Sequence, residues 1–347
     1  MKYENIAGTD LKVSKICLGS MTWGQQNSEQ EAFDQLDYSV DQGVNFIDTA
    51  EIYPIPPDEK TYGDTERMLG NWLKKSGKRN DVIIATKIAG PGRYFEYIRN
   101  PTSLSAKNVQ HAVDNSLERL GVDHIDLFQV HWPERKSNFF GQRGFKEDSE
   151  YDKFATPILE TLDGLEAQVK SGKIRHIGVS NESCWGVLEY LRQHELKSKP
   201  KIRTIQNVYN LLNRSYEIGM AEISVREKVK LMAYSPLAFG VLTGKYLKGE
   251  KPANARLTLF NRFKRYLGEQ AENVTELYVK LAEKHGLSPA QMSLAFVNQQ
   301  PFVLSNIIGA TTLDQLKENI NSINIDLSQE LLDELDKIHN LHPDPCP

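Results

Sequence analysis

Eight short β-branched or apolar runs recur along the chain, and a helix-like stretch with its own start and stop signals generally follows each one. The runs occupy residues 16–18, 45–48, 82–87, 125–130, 174–179, 203–207, 231–235 and 303–308. This alternation limits the fold more than any other feature, because βα units place parallel strands side by side. Eight units without a break in composition predict an α/β class (β/α)8 TIM barrel; an open doubly wound sheet usually has about five to seven strands. A barrel accommodates all 347 residues as one unit, 1–347. Ser28-Glu29-Gln30-Glu31 is a capping box opening a helix that Gly43 closes in a left-handed conformation. Thr156 with Pro157 opens a helix ending near Gly172, and Ser288-Pro289 opens another after Gly286. Ahead of the first strand, Ala7-Gly8-Thr9-Asp10 punctuates alternating segments and predicts an N-terminal β-hairpin able to plug the lower end.

Three segments exceed the usual short connections: 54–65, 90–105 and 132–156. All follow strands, so they belong to the C-terminal face of a barrel, where active sites are built; their length predicts a deep or lidded site.

Composition removes several function classes. A net charge of -4 and the lack of a lysine or arginine run give no field to gather a nucleic acid backbone. No apolar run approaches a membrane span and the start does not resemble a signal peptide, so a cytoplasmic protein without a membrane partner is expected. Cys17, Cys184 and Cys346 are odd in number and lack C-x-x-C spacing, which predicts free thiols and no zinc site. No heptad repeat sets an oligomeric state.

Four proton-handling residues fall at or just after the ends of strands two, three and four of the barrel: Asp48 and Tyr53, then Lys87, then His131. They converge on one rim. Reducing a carbonyl needs a hydride for the carbon and a proton for the oxygen. Tyrosine can supply the proton, but its ordinary pKa near 10 calls for a neighbouring cation to favour the phenolate. Lys87 is that cation. A charge pair at about 4 Å and an effective dielectric of 20 is worth at most roughly 4 kcal/mol, equivalent to nearly three pKa units. Asp48 holds and balances Lys87, and His131 directs a hydrogen bond at the developing alkoxide.

The run Asn45-Phe46-Ile47-Asp48-Thr49-Ala50-Glu51-Ile52-Tyr53, with Ala85-Thr86-Lys87, Gln129-Val130-His131-Trp132 and Gly178-Val179-Ser180-Asn181, resembles the aldo-keto reductase superfamily. The resemblance covers nearly the whole chain. It is strongest to the Tas-like bacterial members and more distant to potassium-channel β subunits, through residues 207–212 and 233–237. It implies NADP(H), a small-molecule carbonyl substrate, and a tetrad of Asp48, Tyr53, Lys87 and His131. It places Gly19, Ser20 and Met21 near the cofactor, with Ser180, Asn181 and Gln206 on the nicotinamide amide and Tyr234 against the ring. Ser235, Leu237, Gly240, Thr243 and Lys245 then resemble a loop over the pyrophosphate, joined by Arg256 and more weakly by Arg262. Gly309, Thr311, Gln315, Glu318 and Asn319 resemble the segment at the adenosine end. Gly309 and Gln315 stand where steroid and aldose reductases carry a lysine and an arginine, so preference for NADP(H) rests on Lys245, Arg256 and Thr311. No G-x-G-x-x-G follows the first strand, which argues against a Rossmann site.

Residue-level alternatives remain at this stage. Asn181 can be read as a helix cap before Glu182, and Tyr234 as barrel packing. Trp23, Trp132 and Phe140 are candidates to line the substrate site. Tyr62, followed by Gly63, rivals Tyr53 as the acid; three intervening prolines direct it toward an outer loop. The rival functions are an NADP(H)-binding sensor with little turnover, a metal-dependent barrel hydrolase or aldolase, and a Lys87 Schiff base. Only Asp48 and His131 qualify clearly as metal ligands.

Overall fold

Each of the eight expected barrel strands forms, and each pairs in parallel with its two neighbours until the sheet closes on itself. The computed structural model describes residues 1–92 and 95–347; residues 93 and 94, inside the expected 90–105 loop, lie outside the described residues. A small antiparallel hairpin, β1 (Tyr3–Asn5) with β2 (Lys12–Ser14), comes first. The barrel follows as β3 (Ile16–Gly19), β4 (Phe46–Asp48), β5 (Ile83–Ile88), β6 (Ile125–Val130), β7 (Ile174–Ser180), β8 (Ile202–Val208), β9 (Lys230–Tyr234) and β10 (Val303–Ile308). Closure comes from β10, which pairs with β3 on one side and β9 on the other.

The helices between strands include α1 (Glu29–Asp41), α2 (Asp64–Ser76), α3 (Ala106–Leu120), the single turn α4 (Ser149–Asp152), α5 (Ile158–Lys170) and α6 (Cys184–Lys197). The second half adds α7 (Met220–Glu227), the short α8 (Arg256–Leu259), α9 (Glu269–Lys284), α10 (Pro289–Asn298), α11 (Leu313–Asn321) and α12 (Gln329–Leu341). The capping box at Ser28 and Glu31 forms, and Gly43 takes a φ of 83° just past α1. Ser288 caps α10 with Pro289 as its first residue. At α5 the sequence reading is off by one position. Pro157 occupies the cap itself, so the helix starts without a side-chain cap hydrogen bond.

Two apolar layers hold these elements. Outward-facing strand residues such as Ile47, Ile84, Phe128 and Ile177 pack on Leu36, Leu69, Val109 and Leu165 of the helices. Inside the barrel, Cys17, Phe46, Ala85, Leu127, Met232 and Leu304 meet Ile6, Leu11 and Val13 of the hairpin segment. The hairpin is therefore the plug, and each fully buried aliphatic side chain of this kind contributes about 1.5–3 kcal/mol. With the lower end sealed by apolar contacts, the polar inward side chains are left at the upper, C-terminal end of the strands. Among the described residues, no helix is long and apolar enough to cross a membrane.

Candidate active site

The upper end opens into a cavity of about 1190 Å³. That exceeds the roughly 300–1,000 Å³ of an ordinary small-molecule site, leaving room for a dinucleotide and a second ligand. Asp48 ends β4, Lys87 stands one residue before the end of β5, and His131 directly follows β6. Parallel register aligns these ends, with Asp48 paired to Ala85 and Lys87 to Gln129. Asp48, Tyr53 and His131 line the cavity, whereas Lys87 is completely buried behind them.

Lys87 Nζ donates to Asp48 Oδ2 at 2.6 Å and to the Thr49 carbonyl at 2.7 Å, and it lies 4.9 Å from the centre of the Tyr53 ring. Gln206 Nε2 donates to the other Asp48 oxygen at 2.8 Å. Both oxygens are thus occupied, and the carboxylate cannot turn away from Lys87. The His131 ring meets the Tyr53 ring edge-on at 5.6 Å. Burial opposes charge on Lys87, but Asp48 outweighs it and raises the ammonium's pKa above its ordinary value. His131 is pushed well below 6.5, first by burial and then by Lys87, so its imidazole is neutral. At Tyr53 the expected pull of Lys87 toward the phenolate is present, but burial opposes it. Burial raises its pKa above 10 despite the opposing pull of Lys87, so the group is a neutral phenol and Lys87 moderates the rise without reversing it.

Tyr62 is nearer than its three prolines suggested, because the 54–65 loop doubles back and the Gly63 amide donates to the Tyr53 carbonyl at 3.0 Å. Its hydroxyl is engaged elsewhere. Arg119 Nη1 donates to it at 2.9 Å, while Arg119 Nε bonds Glu66 at 2.6 Å, and Tyr62 is not part of the cavity wall. Gly63 has a φ of 77° and a Cβ there would stand 2.5 Å from Arg119 Cδ, which explains the glycine after Tyr62 structurally.

Of the residues assigned to the cofactor, Gly19, Met21, Ser180, Asn181, Gln206, Tyr234, Ser235, Leu237, Gly240, Thr243, Lys245, Arg256, Gly309, Thr311, Gln315, Glu318 and Asn319 all line the cavity. Ser20 does not; it is buried with its hydroxyl unpartnered. Gly19 has a packing reason of its own, since a Cβ would stand 2.9 Å from Ile307 Cγ2. Asn181 is not a helix cap, because Ser183 caps α6. Its Nδ2 donates to the His131 carbonyl at 2.8 Å and its Oδ1 accepts from the Tyr234 hydroxyl at 2.6 Å, which ties Tyr234 to the end of β6. Trp132 and Phe140 line the cavity, with ring centres 5.9 Å apart. Trp23 does not: its ring is fully buried in the core and its Nε1 donates to Gln35 at 2.9 Å, so its expected place in the substrate wall is corrected.

These strand-end groups and the closed barrel agree with a match over residues 15–340 to the family model described as aldo/keto reductase family. The chain belongs to the aldo/keto reductase family. This aldo/keto reductase is 51% identical over the full length of both chains to Protein tas of Escherichia coli (strain K12). It is 32% identical to the uncharacterized oxidoreductase YrpG of Bacillus subtilis, over 97% of this chain and 96% of that one. It is 30% identical to a probable voltage-gated potassium channel subunit beta of Arabidopsis thaliana, over 99% and 98% of the two chains.

Several features of the cavity and its surroundings had no visible sequence signal. Glu51 and Arg99 form a buried two-pronged pair at 2.6 and 2.7 Å, and Glu51 Oε1 also accepts from the Ala89 amide at 2.6 Å. The pair fastens the 90–105 loop to the chain just before Tyr53. Phe95, Phe139, Arg143, Lys264 and Arg265 also reach the cavity, from irregular segments where spacing says nothing about direction. Ser288 was visible only as a helix cap, yet it lines the cavity and its hydroxyl donates to Glu318. Among the described residues, no group of three or more His, Cys, Asp or Glu is placed to hold a metal ion.

Proposed function

We propose that this protein reduces aldehydes or ketones to alcohols with NADPH, with Tyr53 as the proton donor and Lys87, Asp48 and His131 assisting it. The single observation that carries this reading is the dry Asp48–Lys87 pair, at 2.6 Å, lying directly behind a neutral Tyr53 phenol and a neutral imidazole.

The cavity suits a polyanionic dinucleotide. Lys245 and Arg256 are close enough to oppose each other's charge, and neither forms an ion pair among the described residues. Burial, relieved only slightly by Tyr53 and Tyr246, lowers the Arg256 pKa to about 10, a cost that a phosphate between the two cations removes. Backbone at Ser235, Ala238, Phe239 and Gly240 takes φ values of 53°, 49°, 58° and 89°, which folds this loop tightly along the cavity, with the Ala238 and Gly240 amides donating to the Ser235 and Leu237 carbonyls. The N-termini of α10 and α11 add their positive dipole ends. Lys245 and Arg256 are the residues that would favour the additional phosphate of NADPH over NADH.

NADPH, when bound, supplies the hydride for the carbonyl carbon. The residues do the rest. His131 offers an N–H to the carbonyl oxygen, and the proton that the oxygen needs leaves the Tyr53 hydroxyl. Lys87 stabilises the resulting phenolate, Asp48 balances Lys87, and Gln206 fixes Asp48. Trp132 and Phe140 provide an aromatic wall beside this exchange.

The test follows NADPH absorbance with a panel of aromatic and aliphatic aldehydes, repeated with NADH. Turnover of several aldehydes, with tighter binding of NADPH than NADH, is the expected result. Tight NADPH binding with no turnover of any carbonyl overturns the reading in favour of a nucleotide-sensing module.

A further inference from the structure

We propose that the carbonyl compound this site accepts is itself an anion, whose acidic group is held by Arg265 and Arg143 where the 132–156 loop meets the cavity. The inference rests on the reductase reading above and names its substrate class.

Six basic side chains line the cavity against two acidic ones, although the chain as a whole has a net charge of -4. The two acids are already engaged: Asp48 holds Lys87, and Glu318 accepts from Ser288. Lys245 and Arg256 lie beside Gly240 and Phe239, in the part of the cavity proposed for the cofactor's phosphates. Arg265 occupies a different place. Its Nε is 3.0 Å from where a Cβ on Gly141 would stand, directly after Phe140, whose ring contacts Trp132 beside His131. Burial opposes the charge of Arg265, but the Tyr234 and Tyr266 phenols beside it outweigh burial and raise its pKa above the ordinary value. Arg265 is half-buried and, among the described residues, forms no ion pair. Arg143 likewise lacks an acidic partner; one of its Nη2 hydrogens goes to the Asp344 carbonyl at 2.8 Å, which steadies the side chain and leaves other donors free.

A partly buried guanidinium supported by neutral phenols, with no carboxylate paired to it among the described residues, keeps donors for an anion. The planar fork of arginine matches a carboxylate through two parallel hydrogen bonds. Beside it, Trp132, Phe139 and Phe140 supply aromatic surface. The wall therefore combines one apolar side and one cationic end, the pattern expected for an aryl or alkyl carbonyl compound bearing a carboxylate.

The discriminating pair is para-carboxybenzaldehyde and para-formylbenzamide, which differ in charge and little in shape. The wild-type protein should favour the carboxylate by about 10-fold or more in kcat/KM, the scale of one charge-assisted contact. Its KM for the carboxylate, and not for the amide, should rise with salt. Arg265→Met should raise KM for the carboxylate by about 10- to 100-fold, leave the amide within about twofold and leave NADPH affinity unchanged. Arg265→Lys should restore part of the loss. Equal efficiency for the two aldehydes, or an equal loss of both in Arg265→Met, overturns the proposal. Binding of para-hydroxymethylbenzoate and its amide to the NADP-loaded protein, read by calorimetry, separates the two hypotheses. Tighter, Arg265-dependent binding of the benzoate without turnover of either aldehyde upholds the anion site and overturns the reductase reading. Equal binding of the two alcohols overturns the anion site.

Discussion

The rim formed by the strand ends and the wall formed by the loops handle charge in opposite ways. At the rim, Asp48, Lys87 and Gln206 satisfy one another within a fully buried network. At the wall, Lys245, Arg256, Arg143 and Arg265 present charge without acidic partners among the described residues. A paired network cannot readily be drawn toward a ligand, whereas an unpaired cation is ready to receive one. On the proposed function, chemistry common to many carbonyls belongs to the first kind of region, and selection among cofactors and substrates to the second. Damage to the rim should therefore slow every substrate, and damage to the wall should change which molecules bind.

The largest expected effect breaks the rim. Tyr53→Phe removes one hydroxyl and should lower single-turnover hydride transfer by roughly 10²-fold or more, the scale of losing a general acid, with NADPH affinity largely preserved. Tyr62→Phe leaves Arg119 without one acceptor but keeps the ring that packs behind the cavity wall, so its rate should change only modestly. Stopped-flow traces of both variants check this. A fast Tyr53→Phe with an inactive Tyr62→Phe would transfer the acid to the insertion.

Why the rim was readable and the wall was not follows from backbone geometry. All eight strands carry short apolar runs, and the parallel register of β4, β5 and β6 then places Asp48, Lys87 and His131 side by side with little freedom. Even there, the sign of the Tyr53 shift was not accessible. It depends on how completely burial outweighs Lys87, and sequence does not disclose burial at a loop residue. Trp23 illustrates the opposite error: it lies shortly after a strand, where wall residues are expected, but Gln35 draws its indole into the core. Arg143 and Arg265 lie in irregular segments about 120 residues apart in sequence, and no periodicity announces that Gly141 brings them to one cavity.

The next effect in size tests the wall. Replacing Lys245 and Arg256 together with alanine should weaken NADPH by about 10- to 100-fold or more, from losing charge-assisted hydrogen bonds, and should weaken NADH considerably less. Fluorescence titration with both cofactors measures this, and equal losses would show that the pair serves only the shared pyrophosphate. A smaller effect belongs to the aromatic side of the wall. Phe140 is half exposed and packs on Phe139 and Trp132, so Phe140→Ala should alter relative kcat/KM among bulky and small aldehydes by about 10-fold or less. NADPH affinity should remain nearly intact. A collapse of cofactor binding with unchanged aldehyde preference would remove the 132–156 loop from the substrate side.

The smallest expected effect is a near absence of pH dependence across the neutral range, and it sharpens the contrast most directly. Tyr53 must carry its proton to act as the acid, and burial moves its pKa upward from 10, beyond what Lys87 counteracts. Loss of the active form therefore begins only in strongly alkaline solution. His131 must remain neutral for Lys87 to keep its charge beside it, and burial with the Lys87 field moves the imidazole pKa well down from 6.5. Protonation of His131 therefore begins only in acid. Between those limits, from about pH 7 to about pH 9, both groups hold their working forms and single-turnover reduction with saturating NADPH should vary by no more than about twofold. The measurement uses single turnovers so that product release does not mask the chemical step. An inflection near 6.5 would mean that water reaches His131, and one well below 10 in the alkaline limb would mean that Lys87 overcomes burial at Tyr53. Either result would show the rim to be wetter than its hydrogen bonds indicate, and would bring its electrostatics closer to those of the loop wall.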